Sequence, residues 1–259
     1  MKVESLIVTT NQKDYSLLDK MNIKTDAIVC NQCDRNSVEC FDYLGNVVKW
    51  YSFNERGVGL NRNNGLMRAS ADVCLLADDD MVYYDNYVEV VEKAFTDNKD
   101  ADVIIFNIDE DGGERFKNVK TVTVNKRNFG RYGAVRIAFR RESIFLNGIS
   151  FNLSFGGGAK YSAGEDSLFI KSCLDSGLKV IAVPYSIAKL VNDRESTWFT
   201  GYTEKYFIDK GVLNYFLNKK LAKLYCFYNA VRHRKSYKEI GWFNAYKLMI
   251  KGVNQVKGK

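Results

Sequence analysis

Runs of apolar, β-branched residues bounded by polar turns recur at Ser5–Thr9, Ala27–Cys30, Val47–Tyr51, Val73–Leu76 and Val103–Phe106. Runs of this length predict buried strands. Between them lie helix-compatible stretches at Tyr15–Met21, Arg62–Ala69 and Asn86–Phe95, the last carrying Tyr87, Val90, Val91 and Ala94 on one face at helical spacing. The alternation predicts an α/β fold: a mostly parallel sheet with helices on both faces, whose ligands bind beyond the carboxyl ends of the strands.

After Asp109 the pattern loosens. Alternating residues at Val119–Val124 and a run at Ala134–Phe139 predict a β-rich excursion, and Gly156-Gly157-Gly158 predicts a flexible loop. A helix over about Asp166–Leu174 follows, then a last strand, Lys179–Val183, ending before Pro184, the single proline. From about Phe207 Lys and Arg alternate with Tyr, Phe, Leu and Trp. The chain thus divides into a main domain over 1–205 and a basic, aromatic-rich helical region over 206–259.

With 259 residues, 46% hydrophobic and 27% charged, the composition is that of an ordinary folded protein. Charged or amide residues interrupt every apolar run well short of the roughly 18 residues a membrane helix needs. The first apolar run is too short for a signal peptide's core, so no export signal is expected. Six cysteines without framework spacing predict reduced thiols in the cytoplasm. Cys30-Asn31-Gln32-Cys33 lacks the second pair or histidines that zinc requires, His233 being the only histidine. That scarcity also rules out Ser-His-Asp and Cys-His chemistry, since His233 lies in the basic tail.

The net charge of +7 is unevenly placed: residues 210–259 carry twelve Lys and Arg against Glu239 alone, leaving the main domain net acidic. No nucleic-acid partner is expected. The tail reads as amphipathic helices suited to an anionic membrane surface, on the inner face of the cell membrane, or as a subdomain whose aromatics pack on the core.

The sharpest chemical feature is Val73–Asp80, an apolar strand emptying into Asp78-Asp79-Asp80. Carboxylates so dense repel unless they are solvated or share a hard divalent cation, magnesium or manganese. A second pair, Glu165-Asp166, opens the helix after the glycine loop, where acids also favour the helix dipole. One cluster for a metal and diphosphate and another for deprotonating a hydroxyl would suit group transfer to an alcohol. Gly57-Val58-Gly59-Leu60-Asn61-Arg62 adds glycines and a cation at a helix start, a reasonable diphosphate neighbour.

Ser5–Asn11, Gly59–Leu66, Leu75–Asp80 and Gly164–Phe169, in that order and spacing, resemble glycosyltransferase family 2 over roughly residues 3 to 200. The resemblance implies a GT-A fold with a C-terminal helical extension, and inverting transfer from a nucleoside diphosphate sugar, a UDP-sugar preferred, to a glycan or lipid-linked saccharide. It implies Thr9, Asn11, Gln32, Arg62, Asp78 and Asp79 at the nucleotide sugar and Asp80, with Asp78, on Mn2+ or Mg2+. Asp166 would be the general base and Glu165 its orienting partner or substitute. Where many relatives read uracil with Asp-Asp-Gly-Ser, this chain has Asn31-Gln32-Cys33-Asp34. Where many carry a late histidine, it has Val191–Trp198, so Arg194 would neutralise the diphosphate and Trp198 stack on the acceptor. Two alternatives stay open: a haloacid dehalogenase-like phosphatase, whose D-x-D-x-[TV] pattern Asp78–Val82 also fits, and a non-catalytic carbohydrate- or membrane-binding module.

Overall fold

The computed structural model describes residues 1–110, 116–191 and 201–257. Its strands, in chain order, are β1 (Val3–Thr10), β2 (Asp26–Gln32), β3 (Ser37–Tyr43), β4 (Asn46–Phe53), β5 (Val73–Asp78), β6 (Met81–Tyr83), β7 (Val103–Glu110), β8 (Val122–Thr123), β9 (Ile137–Arg140) and β10 (Val180–Leu190). The helices are α1 (Leu17–Lys20), α2 (Val58–Arg68), α3 (Tyr87–Asp97), α4 (Arg141–Leu146), α5 (Glu165–Asp175), α6 (Glu204–Leu217), α7 (Ala222–Arg232) and α8 (Trp242–Lys257).

All these strands join one sheet in the order β3-β4-β2-β1-β5-β9-β7-β10-β6, with β8 beside β10. β4, β2, β1 and β5 are mutually parallel, while β9 enters antiparallel between β5 and β7. β1, β2, β5 and β7 are buried on both faces, so they read as the continuous apolar runs expected of strands sandwiched by helices. One hydrophobic cluster joins the sheet to α1 and α3, and a second joins its other face to α2 and α5.

Three expectations need correction. The last strand does not stop at Val183: β10 runs through Pro184 to Leu190, and its register against β7 shifts between Ala182 and Ser186. A proline lacks the ladder donor and is tolerated where pairing slips, which is what happens here. The alternation at Val119–Val124 yields only the two-residue β8, and β3, with residues half-buried and exposed in turn, was not expected at all. β3 is the edge of the sheet, and its mixed side chains carry too little apolar signal to stand out.

The third concerns Gly156-Gly157-Gly158, which is a packed joint rather than a flexible loop. A Cβ on Gly156 would lie 2.6 Å from Val58 Cγ1 and 2.8 Å from Glu165 Cδ, and one on Gly158 would lie 3.0 Å from the Gly57 nitrogen. Gly157 also accepts from the Val58 amide at 2.8 Å. The glycines let this segment lie directly on the start of α2.

The C-terminal helices share a cluster of their own around Phe207, Cys226, Tyr237 and Met249. α6 and α8 touch backbone to backbone at Gly211 and Gly252, where an added Cβ would stand about 2 Å from the carbonyls of Met249 and Ile208. α6 also reaches the main domain: Val212 and Leu213 join Phe155, Tyr161 and Leu168 in a separate cluster.

Candidate active site

The parallel register of β1 and β5 sets Val8 opposite Asp78, so the residues that follow meet just past the strand ends. Thr9 Oγ1 donates to Asp79 Oδ2 at 2.6 Å. Gln12 Nε2 donates to the same threonine oxygen at 2.8 Å and to Asp79 Oδ2 at 3.4 Å. The Gln12 backbone is clasped in both directions by the buried Asn31 side chain, at 3.0 and 3.1 Å. Gln12 and Asn31 were missed in sequence; the one available signal was the amide of Asn31 directly after the apolar run Ala27–Cys30.

Asn11 turns the chain away from β1 at φ 56°, a left-handed conformation that asparagine tolerates better than most. Its amide donates to the Gln32 carbonyl at 2.9 Å. The buried Gln32 side chain gives its Nε2 hydrogen to the Gly57 carbonyl at 3.1 Å, so it fixes the start of α2 from the end of β2.

Arg62 is the hub. Only 5% exposed, it projects from α2 with Nη2 donating to both oxygens of Asp78, at 2.8 and 3.2 Å, and Nη1 to Glu165 Oε1 at 2.8 Å. Its guanidinium lies 5.4 Å from the Phe151 ring centroid. Burial opposes its charge, but Asp78, Glu165 and Asp166 outweigh that and hold its pKa above the ordinary value. Planar fork geometry suits arginine to bridging two carboxylates in this way.

Asp166, next to Glu165 in the first turn of α5, stands outside this bridge. Its Oδ1 accepts from the Ser167 amide at 2.6 Å, while Oδ2 lies 3.6 Å from where a Cβ on Gly133 would be. Burial, reinforced by the neighbouring charge of Glu165, pushes its pKa up to about 6. From α6, the Lys210 ammonium is lowered by burial and supported by the field of Asp166.

Asp80, exposed at the turn after β5, accepts from the Val191 amide through its backbone carbonyl at 2.8 Å. Among the described residues, no group of three or more His, Cys, Asp or Glu is arranged to hold a metal by itself. By the chemistry of its donor, Asp80 fits a hard divalent cation: it is a carboxylate just beyond the end of β5, and magnesium sites in phosphate chemistry commonly take one or two carboxylates plus substrate phosphates. Both oxygens of Asp78 accept from Arg62. The structure therefore brings together Thr9, Asn11, Gln32, Arg62, Asp78, Asp79, Asp80, Glu165 and Asp166 around one set of strand ends. Arg194 and Trp198 lie outside the described residues.

A mostly parallel sheet with polar side chains at the end of β1, acidic ones at the end of β5 and at the start of α5, and an antiparallel strand inserted beside β5 is the GT-A architecture of sugar-transferring enzymes. The chain matches Glycosyl transferase family 2 over residues 15–152, more than half of its length, and it belongs to that family. It is a glycosyltransferase, and the phosphatase allowed by the aspartate triplet alone is set aside.

Among solved structures it is similar to S. aureus TarS 1-349 in complex with UDP-GlcNAc, at TM-score 0.66 and 16% identity over 98% of this chain and 82% of that one. The TarS 1-349 complex with UDP gives TM-score 0.63 and 17% identity over 98% and 81%. A longer TarS structure is covered to 49%, at TM-score 0.63 and 15% identity. No curated protein matches the chain.

Proposed function

We propose that this glycosyltransferase takes its sugar from a nucleoside diphosphate donor, a UDP-sugar, and delivers it with inversion to a hydroxyl of a glycan or lipid-linked saccharide. The observation that carries the reading is the division of labour among three acids. Arg62 ties up Asp78 and Glu165, whereas Asp166 stays outside the bridge with a carboxyl poised near pH 6. A general base works best with a pKa near the operating pH, and Asp166 meets that condition where a fully paired carboxylate would not.

In this mechanism Thr9, Gln12 and Asp79 form a hydrogen-bonded edge for the nucleotide, and Asp78 is held rigid for the ribose by Arg62. Asp166 takes the proton of the acceptor hydroxyl as that oxygen displaces the diphosphate in line, and a single displacement inverts the anomeric carbon. Glu165, locked by Arg62, fixes the first turn of α5 and so the placement of Asp166. Asp80, with Asp78, would hold Mn2+ or Mg2+, which when bound would supply positive charge to the leaving diphosphate. TarS, solved with UDP-GlcNAc and with UDP, supports a uridine donor on the same fold. Six free thiols suit a cytoplasmic setting.

The test is the thermal shift of the full chain with UDP, GDP and ADP, each with and without manganese, for the wild type and Asp80→Ala. Ligands that bind the native state raise its apparent stability. A manganese-dependent shift with UDP, lost in the variant, is expected. No shift with any nucleotide overturns the donor assignment and leaves a non-catalytic carbohydrate-binding module as the reading to pursue.

A further inference from the structure

The last two helices present an apolar face that nothing in the described chain covers. α7 buries Ala222, Cys226 and Ala230, four residues apart, against α6 and α8. Its opposite side carries Leu224, Phe227 and Tyr228, exposed by 59%, 46% and 53%. A solvent-facing helix normally turns polar residues outward, so α7 is apolar on both sides.

The start of α8 continues the patch with Trp242 and Phe243, 42% and 51% exposed. The rings form a contiguous group: Phe227 and Trp242 lie 6.3 Å apart between centroids, and Trp242 and Phe243 lie 5.7 Å apart. Clustered exposed aromatics of this kind mark an interaction surface rather than scattered surface apolarity.

The charge around the patch selects its occupant. Lys220, Lys223, Arg232 and Lys247 are all exposed on or beside these helices. Lys247 Nζ sits 4.6 Å from the Phe243 ring centroid, and the Arg232 guanidinium 5.7 Å from that of Tyr228. Across residues 210–259 Glu239 is the only acid. A symmetric contact with a second copy would set this basic rim against itself. An anionic bilayer answers both features, taking the rings at the headgroup boundary and the cations at the phosphates.

We propose that α7 and α8 form a docking surface for anionic lipid, holding the enzyme peripherally on a membrane. Among the described residues no helix is long and apolar enough to cross one. The surface is mechanically continuous with the active site. α8 packs on α6 through Gly211 and Gly252. α6 in turn grips the segment before α5, where Asp209 Oδ2 accepts from the Ser162 amide and hydroxyl at 3.0 Å. A lipid-linked acceptor, the choice in the proposed function on which this role rests, would then be met with the base loop in fixed relation to the bilayer.

The experiment is flotation of the full chain with vesicles of phosphatidylcholine alone and of phosphatidylcholine mixed with phosphatidylglycerol, at low and high salt. Two double variants accompany it, Trp242→Ser with Phe243→Ser and Lys220→Glu with Lys223→Glu. Binding only to the anionic vesicles, weakened by salt and by either variant, is the expected result, with roughly fivefold lost per lysine charge removed. The manganese–UDP thermal shift of the variants should equal the wild type's, which separates loss of lipid binding from loss of the fold or donor site. Wild-type protein that floats with neither vesicle overturns the proposal. So does a wild-type dimer that the Trp242→Ser, Phe243→Ser variant converts to monomer, because the patch is then a contact between copies.

Discussion

Arg62 on α2 and Glu165 on α5, 103 positions apart in the chain, are joined at 2.8 Å. Through the other arm of the same guanidinium, Glu165 is linked to Asp78 at the end of β5. One buried cation thus fixes the distance between the end of the β5 strand and the helix that carries Asp166.

Removing that cation should damage fold and activity together. Arg62→Ala leaves Asp78 and Glu165 facing each other without compensation, a loss on the order of 3–5 kcal/mol for breaking a buried pair. Arg62→Lys keeps the charge but not the fork, and is expected to recover part of the stability with little of the turnover. Urea midpoints alongside donor hydrolysis rates check both. Equal activity in Arg62→Lys and wild type would show that bridging is dispensable.

The raised pKa of Asp166 sets a pH profile. Below about 6 the carboxyl is protonated and cannot accept the hydroxyl's proton, so kcat/KM should fall about tenfold per pH unit there and level off above. An inflection that persists unchanged in a residual-activity Asp166→Asn variant would assign it to another group.

The same shift affects stability with a definite sign. Between the ordinary 3.8 and about 6 the folded chain binds more protons than the unfolded one. This group's contribution to stability is therefore full below pH 4 and is lost as pH rises to 6. At neutral pH Asp166→Asn should be more stable than wild type by on the order of 1–3 kcal/mol, while turnover drops roughly 10²–10⁴-fold. Denaturant titrations of both proteins at pH 7 measure it; a destabilised variant contradicts the expectation.

Gly164, at φ 117°, faces Leu213 of α6, and a Cβ there would lie 2.5 Å from Leu213 Cδ1. Gly164→Ala should cost about 1–3 kcal/mol from overpacking and strain and lower kcat by displacing the start of α5. Shortening the opposing side chain in Gly164→Ala with Leu213→Ala should return part of the kcat loss. Absence of any rescue would place the damage in the backbone of Gly164 alone.

Asp209 tests the grip of α6 in a second way. Asp209→Ala leaves the Ser162 amide and hydroxyl without their acceptor, a loss of roughly 1–3 kcal/mol for orphaned donors. The readout is a lower melting temperature together with a kcat reduced more than the nucleotide Kd is changed.

Much of this molecule was legible in one dimension. The runs at Ser5–Thr9, Ala27–Cys30, Val73–Leu76 and Val103–Phe106 became β1, β2, β5 and β7, because strands buried on both faces need apolar residues at every position. The clusters Asp78–Asp80 and Glu165–Asp166 could be found from their places in the pattern, the first where an apolar strand ends and the second where a helix opens after a glycine-containing loop. Spacing could not show how those acids divide their roles. Arg62, 16 residues from Asp78 but 103 from Glu165, pairs with both only because α2 and α5 cover the same face of the sheet. Only that pairing separates Glu165 from its neighbour Asp166. The antiparallel entry of β9, the course of β10 through Pro184 and the packing of the glycine triplet on α2 were likewise settled in three dimensions. Local sequence determines which residues seek burial or water; strand order and close backbone approach depend on contacts between segments far apart, and those exist only once the chain has folded.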